Sequence, residues 1–141
     1  MKILCAVRGG LESEKTIEYA ISLAKKETAL LLFLYVVSLE LFMTSSKARV
    51  KTITKELSRM GEFVLLMAQA KAATEGLSAD TYVRQGNIAE EILATCQEMR
   101  VEVLVLGKAQ EGYEDGFFDI KAQGAFVEKM KLDFGVRVIL V

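Results

Sequence analysis

Five apolar, strand-like runs alternate with helical patterns along this chain, and that alternation restricts its fold more than any other feature. The clearest run covers residues 29–37 (ALLLFLYVV), which contain no alternating polar positions. A strand without a polar face is typical of a parallel sheet covered by helices on both sides. Strands that alternate with helices form such sheets through right-handed crossovers. The sequence therefore predicts an α/β fold.

The predicted order is β-α-β-α-β-α-β-α-β. The strands are expected at residues 2–7, 29–37, 80–84, 101–106 and 136–141, the third of them short, partly polar and at an edge. The second helix is expected to cover residues 44–75 and the fourth residues 119–131. A length of 141 residues without a linker predicts one domain over residues 1–141.

Apolar spacing predicts which faces of two helices point inward. In the second helix, spacings of three and four relate Val50, Ile53, Leu57, Met60, Val64 and Met67. A second stripe from Phe63 to Leu77 runs beside it, so the later half of this helix is apolar over a wide arc. In the fourth helix, Ile120, Val127 and Met130 are expected to face inward.

Composition excludes several classes of function. The chain has no His, which excludes Ser-His-Asp and Cys-His sites and removes the commonest metal ligand, so we expect no metal site. The formal net charge of −1 offers no basic field for nucleic acid or an anionic membrane. Cys5 and Cys96 lie in apolar patterns and are interpreted as reduced core residues instead of a thiol switch.

The expected location is the cytoplasm. The chain starts directly with a strand-like run and shows no signal-peptide pattern. Its longest strongly apolar run has nine residues, whereas a membrane-spanning helix needs about 20.

Two loops are candidate binding sites, because open α/β sheets bind ligands where strands end at the point of reversed strand order. The first, residues 7–13, contains Gly9 and Gly10; the second, residues 107–125, follows the fourth strand. Glycines at such turns let backbone N–H groups approach a phosphate. A tight turn alone would also account for Gly9 and Gly10.

Four segments resemble the universal stress protein family in order and spacing. They are the first strand, turn and helix in residues 1–20, residues 86–93 (GNIAEEIL), residues 103–107 (VLVLG) and the final strand, residues 136–141 (VRVILV). The resemblance covers almost the whole chain. It implies a five-stranded parallel sheet of order 3-2-1-4-5 with helices on both faces, as in Rossmann-like and adenine nucleotide alpha hydrolase-like folds. Both glycine loops would then meet at one crevice.

The family's ATP-binding motif is incomplete in this chain. Members that bind ATP carry Gly, two residues, Gly, nine residues, then Gly-Ser or Gly-Thr. Gly107 matches the first position, but Gln110 occupies the second, and Gly124 fits the third only if the loop is about four residues longer. Ala125 replaces the hydroxyl residue, and Arg8 replaces the Asp of the first turn.

The loop's charge also opposes a phosphate, since four carboxylates lie within residues 111–119 beside Lys108. We therefore expect a non-catalytic regulatory or binding module that takes ATP weakly or not at all. The alternative is a stress-response sensor that binds ATP or AMP through a remodelled glycine loop. The crevice would then be formed by Arg8, Gly9, Gly10, Val36, Val37, Gly107, Lys108, Gly124 and Ala125.

Residues 8–13 (RGGLES) also resemble, weakly, the phosphate loop of ATP pyrophosphatases, which would release pyrophosphate from ATP.

A further expectation concerns assembly. The fifth strand, from Val136 to Val141, lies at an edge of the implied sheet and carries one charge and no Pro. Such an edge favours pairing with a second copy, so we expect a homodimer through this strand. The alternatives are a shielded monomer and a dimer through the apolar half of the second helix.

Overall fold

The fold is a five-stranded parallel sheet with four helices. The computed structural model describes residues 1–9, 12–38, 46–109 and 120–141. The elements are β1 (Lys2–Ala6), α1 (Glu12–Glu27), β2 (Leu30–Val37), α2 (Lys47–Thr74), β3 (Asp80–Gln85), α3 (Ile88–Met99), β4 (Val103–Leu106), α4 (Ile120–Phe134) and β5 (Arg137–Leu140). The strand order β3-β2-β1-β4-β5 confirms the predicted topology, with β3 and β5 at the edges.

The central strand β1 divides the core into two layers. Ile3 pairs in register with Leu31 on β2 and with Val103 on β4. Ile3 and Cys5 point into one buried cluster, together with residues of α1 and α2. Leu4 and Ala6 point into the other cluster, with residues of α3 and α4. Because successive side chains on a strand alternate between faces, a strand covered on both sides must be apolar throughout.

Polar residues set the starts of α2 and α3. The Ser46 side chain accepts a hydrogen bond from the backbone N–H of Arg49, and that of Asn87 accepts one from Glu90. Such caps satisfy backbone donors that have no partner within the helix. The predicted start of the second helix at residue 44 lies outside the described residues. Its end is marked by Gly76, whose φ of 78° lies in the left-handed region.

The predicted inward stripe of α2 is wrong for Met60 and Met67, which are 57% and 60% exposed. The residues of α2 that are buried are Gly61, Leu65, Ala68 and Ala72. Met60 and Met67 each precede a buried residue by one position, which turns their side chains about 100° around the helix axis from the buried face. Three of the four buried residues are small, so the helix lies close to the sheet and its larger apolar side chains face solvent.

The predicted inward position of Ile120 is also wrong, because its side chain is 56% exposed. The inner face of α4 is formed by Gln123, Phe126 and Met130. The hydrogen bonds of Gln123, described below, fix this orientation of the helix.

Cys5 and Cys96 are free and buried, which confirms their predicted place in the core. Burial raises the pKa of both thiols, that of Cys96 to about 12. Within the described residues, no helix is long and apolar enough to cross a membrane.

Candidate functional site

A cavity of about 230 Å³ opens at the carboxyl ends of β1 and β2. Two of its lining residues are polar, Arg8 and Ser38. The others are apolar or aromatic: Val7, Tyr35, Val36, Val37, Leu57 and Ile88. The cavity therefore lies between two strand ends, the first half of α2 and the first residue of α3.

Backbone and hydroxyl hydrogen bonds hold the strand ends that form the cavity. The N–H of Val7 donates to the carbonyl of Leu34 at 2.8 Å, which ties the end of β1 to β2. Beyond β1, the Ser13 hydroxyl accepts from the N–H of Arg8 at 3.1 Å and donates to the Arg8 carbonyl. The backbone of Arg8 is thereby fixed at the mouth of the cavity.

Tyr35 forms one wall of the cavity and packs directly on the backbone of α2. A Cβ atom added at Gly61 would lie 2.4 Å from the Tyr35 ring, closer than any side chain could come. Glycine is therefore required at this point of the helix. The tyrosine is half-buried, and burial raises the pKa of its phenol, so the ring presents a neutral hydroxyl at physiological pH.

The loop after β4 adjoins the first loop. A Cβ at Gly107 would lie 3.7 Å from Nη2 of Arg8 and 3.3 Å from Oγ1 of Thr16. The two glycine loops thus meet, as the strand order implies. Gly107 and Lys108, however, are not among the residues that line the cavity.

Internal hydrogen bonds hold the backbone of residues 107–109, the part of this second loop next to β4 that the structure describes. The N–H of Lys108 donates to the carbonyl of Val141 at 2.9 Å. The N–H of Ala109 donates to Oε1 of Gln123 at 2.8 Å, and Nε2 of Gln123 donates to the carbonyl of Gly107 at 2.9 Å. Gln123 is only 4% exposed, so its amide is a buried clamp between α4 and the end of β4.

The structure brings together only part of the predicted crevice. Arg8, Val36 and Val37 line the cavity. Gly9 lies beside it, with its Cβ position 3.9 Å from Val64. Gly124 and Ala125 lie on the exposed face of α4, where a Cβ at Gly124 would meet nothing within 4 Å. Gly10 lies outside the described residues.

Sequence reasoning missed the roles of Gln123 and of Ile88 and Leu57. Both apolar residues matched core patterns, and only the topology places them at strand ends. Gln123 did leave a sign in the sequence. It shares the spacing of Phe126 and Met130 on the inner face of α4, and a polar residue in such a stripe needs a buried partner.

The cavity is lined mainly by apolar side chains. Among the residues that the structure describes, none of those lining it is a carboxylate. Across residues 1–9, 12–38, 46–109 and 120–141, no group of three or more metal-ligating side chains occurs. What the described residues offer is an apolar recess with one guanidinium, that of Arg8, and the hydroxyl-bearing side chains of Tyr35 and Ser38.

Comparison with known proteins agrees with the fold. The profile of the Universal stress protein family matches residues 1–119. Universal stress protein YxiE of Bacillus subtilis (strain 168) is 32% identical over 114 residues, which cover 75% of this chain and 77% of YxiE. The chain therefore belongs to the universal stress protein family.

Solved structures share the fold at low identity. Universal stress protein UspA from Lactobacillus plantarum superposes with a TM-score of 0.80 at 16% identity, covering 100% of this chain and 97% of UspA. A universal stress protein family protein from Arabidopsis thaliana, solved with AMP bound, gives a TM-score of 0.66 at 14% identity, with coverages of 100% and 90%.

Proposed function

We propose that this universal stress protein is a non-catalytic binding or regulatory module that takes ATP weakly or not at all. The observation that carries the proposal is the hydrogen bonding of the loop after β4. The N–H groups of Lys108 and Ala109 are already donated to Val141 and to Gln123. A phosphate-binding turn needs backbone N–H groups that point at the ligand.

Releasing these donors has an energetic cost. Gln123 is buried, and its two hydrogen bonds satisfy a donor and an acceptor of the loop backbone. A buried polar group left without a partner costs about 1–3 kcal/mol. A triphosphate would have to offset that cost before it gained affinity, which favours weak binding.

The size of the cavity supports the same proposal. Its 230 Å³ lies below the roughly 300–1,000 Å³ of sites that enclose a drug-sized ligand. The recess suits a group the size of a nucleobase, held by apolar contacts, so the phosphates of ATP would need donors outside it.

Catalysis is not expected, because no His exists in the chain and none of the described residues that line the cavity is a carboxylate. We expect ATP turnover below about one per minute, far under the common enzyme range. This part of the proposal would be contradicted by faster ATP turnover, provided that Leu57→Trp abolishes the turnover and Leu132→Trp does not. Leu57 lies in the cavity wall, whereas Leu132 is 75% exposed on α4.

Isothermal titration with ATP and Mg²⁺ tests the binding proposal. We expect no saturation below about 100 μM ATP, equivalent to less than about 6 kcal/mol of binding free energy. A dissociation constant in the low micromolar range would overturn it. So would adenine nucleotide that copurifies with the protein and is identified by mass spectrometry after denaturation.

The second candidate function is an adenine-nucleotide sensor, and the AMP in the Arabidopsis relative favours it. A monophosphate needs fewer donors than ATP, and Arg8 lies at the edge of the recess. This function predicts that the protein binds AMP and that Arg8→Gln weakens AMP binding at least tenfold. Arg137 is an exposed charge on β5, so Arg137→Gln should leave AMP binding unchanged. Equal losses in both variants would indicate bulk electrostatics and contradict it.

We also propose a homodimer through the edge strand β5, in a protein that acts in the cytoplasm. Beyond Arg137, the side chains Val138, Ile139 and Leu140 are only half-buried on β5. A partner strand would satisfy the open backbone edge and cover them. Sedimentation should show a dimer at tens of micromolar and a folded monomer for Val138→Lys with Leu140→Lys. A monomeric wild type, or an unchanged variant, would contradict this interface.

A further inference from the structure

The outer face of α2 carries four large apolar side chains in two consecutive turns. Met60, Phe63, Leu66 and Met67 are 57%, 64%, 62% and 60% exposed. Two small exposed residues, Ala70 and Ala73, continue the same side of the helix. These six residues are called the α2 patch below.

The α2 patch is large for a monomer's surface. With about 100 Å² exposed per large side chain, the four present on the order of 400 Å² of apolar surface, which matches the largest patch of a typical monomer. The first half of the same helix is different, since its exposed side chains are mainly basic. The apolar character is thus confined to residues 60–73 and does not extend along the whole helix.

We infer that the α2 patch is an interface that binds a second copy of this chain, with the two α2 helices packed antiparallel about a two-fold axis. Residues 60–73 span about 20 Å at 1.5 Å per residue. With the stems of flanking charged side chains, each copy would bury about 500–600 Å². The total of about 1,000–1,200 Å² lies at the lower limit of stable protein interfaces.

Charge selects the antiparallel direction. Residues 47–59 carry five basic side chains and one acidic one, a net charge of +4, whereas residues 60–74 carry only Glu62 and Lys71. Parallel helices would place the two +4 halves side by side. Antiparallel helices that pair through the α2 patch place the two basic halves at opposite ends of the contact, so the like charges are kept apart.

Side-chain size agrees with the same arrangement. A two-fold axis near Leu66 brings the large residues at the start of the patch, Met60 and Phe63, toward the small residues at the partner's end, Ala70 and Ala73. Large side chains then meet small ones, as close packing of helices requires.

The α2 patch and the β5 edge lie on opposite sides of the molecule. Helix α2 packs over β2 and β3, whereas β5 is the far edge of the sheet. Both surfaces can therefore be used at the same time, and two different two-fold contacts allow a tetramer.

Sedimentation equilibrium of the full chain tests the inference with matched variants. Phe63→Glu with Met67→Glu should halve the assembled mass, or weaken self-association at least tenfold. Leu132→Glu, an equally exposed apolar residue on α4, should change neither. The added charges lie on solvent-exposed positions, and circular dichroism verifies that the variants are folded.

A cross-link gives an independent measurement. Both native cysteines are buried, so Leu66→Cys introduces one reactive thiol, close to the inferred axis. Mild oxidation should form a disulfide between two copies of the Leu66→Cys variant. This reaction should be at least tenfold faster than the same reaction of the Leu132→Cys variant. Equal rates overturn the inference, as does an assembled mass that the paired glutamate substitutions leave unchanged.

Discussion

The two halves of the sheet's carboxyl edge differ, although both belong to the same binding region of the fold. At β1 and β2 the strand ends open into an apolar cavity next to Tyr35. At β4 and β5 the corresponding backbone is closed by Gln123 and by Val141. Gly107, the first glycine of the nucleotide-like motif, lies in the closed half. A shared fold therefore does not guarantee a shared ligand, because the donors must also be free.

The largest expected effect on stability comes from removing the Gln123 hydrogen bonds, which hold the backbone at the end of β4. Gln123→Met keeps a similar volume but removes both hydrogen bonds to the loop after β4. Because a half-buried N–H and a half-buried carbonyl lose their partner, we expect a loss of about 2–3 kcal/mol in the free energy of unfolding. Urea denaturation measures it. Gln97→Met, at an exposed position of α3, should change stability by less than about 0.5 kcal/mol.

A loss below about 1 kcal/mol for Gln123→Met would mean that the loop is not held by this side chain. The contrast between the two halves of the edge would then have no energetic basis.

Two helical glycines, one near each half, should respond with opposite signs to the same change. Gly61→Ala forces a methyl group into the Tyr35 ring of the open half, and we expect a loss of about 1–3 kcal/mol. Gly124→Ala has open space around it on α4 and should gain about 0.5–1 kcal/mol from helix propensity. Thermal denaturation of both variants measures the difference, and two effects of equal sign would contradict the packing described for Tyr35.

The start of α3 supports the floor of the open half, since Ile88 is its first residue and lines the cavity. Asn87→Ala removes the side-chain acceptor of the Glu90 N–H and should cost about 1 kcal/mol. Asn87→Asp retains an acceptor and should preserve most of the stability. Equal losses in the two variants would show that the hydrogen bond to Glu90 is not what stabilises this end.

The smallest effect is expected at the outer edge of the open half, where Arg84 on β3 binds Glu91 and Glu98 of α3. The hydrogen bond from Arg84 lowers the pKa of Glu98. A carboxyl whose pKa is lowered by folding adds stability above its unfolded pKa, and loses it as the pH falls through the folded value.

Glu98→Gln should therefore unfold slightly more easily than wild type at pH 7 and equally at about pH 2, below the ordinary carboxyl range. Thermal melts across that range, with the exposed Glu128→Gln on α4 as control, measure the difference. A gap that persists unchanged at low pH would exclude an ionic cause.

The buried strands could be predicted because long unbroken apolar runs are typical of strands covered on both faces. The strand order came from the resemblance to the universal stress protein family. The face of α2 could not, since two apolar stripes compete around this helix. The contact between Gly61 and Tyr35 decides the matter, and it depends on tertiary approach. The positions of Gly9 after β1 and of Gly107 after β4 follow from the sequence pattern. The hydrogen-bond partners of residues 107–109 could not be predicted, because Gln123 and Val141 are distant in the chain.

The contact between Tyr35 and Gly61 also has a mechanical consequence. The same turns of α2 carry a cavity wall, Leu57, and the first large residues of the outer patch, Met60 and Phe63. With no gap between ring and backbone, an occupant that displaces Tyr35 must displace this part of the helix as well. Any coupling between the cavity and the α2 patch would be reciprocal. If an occupant of the cavity changes the affinity of self-association by some factor, self-association changes the cavity's affinity for that occupant by the same factor.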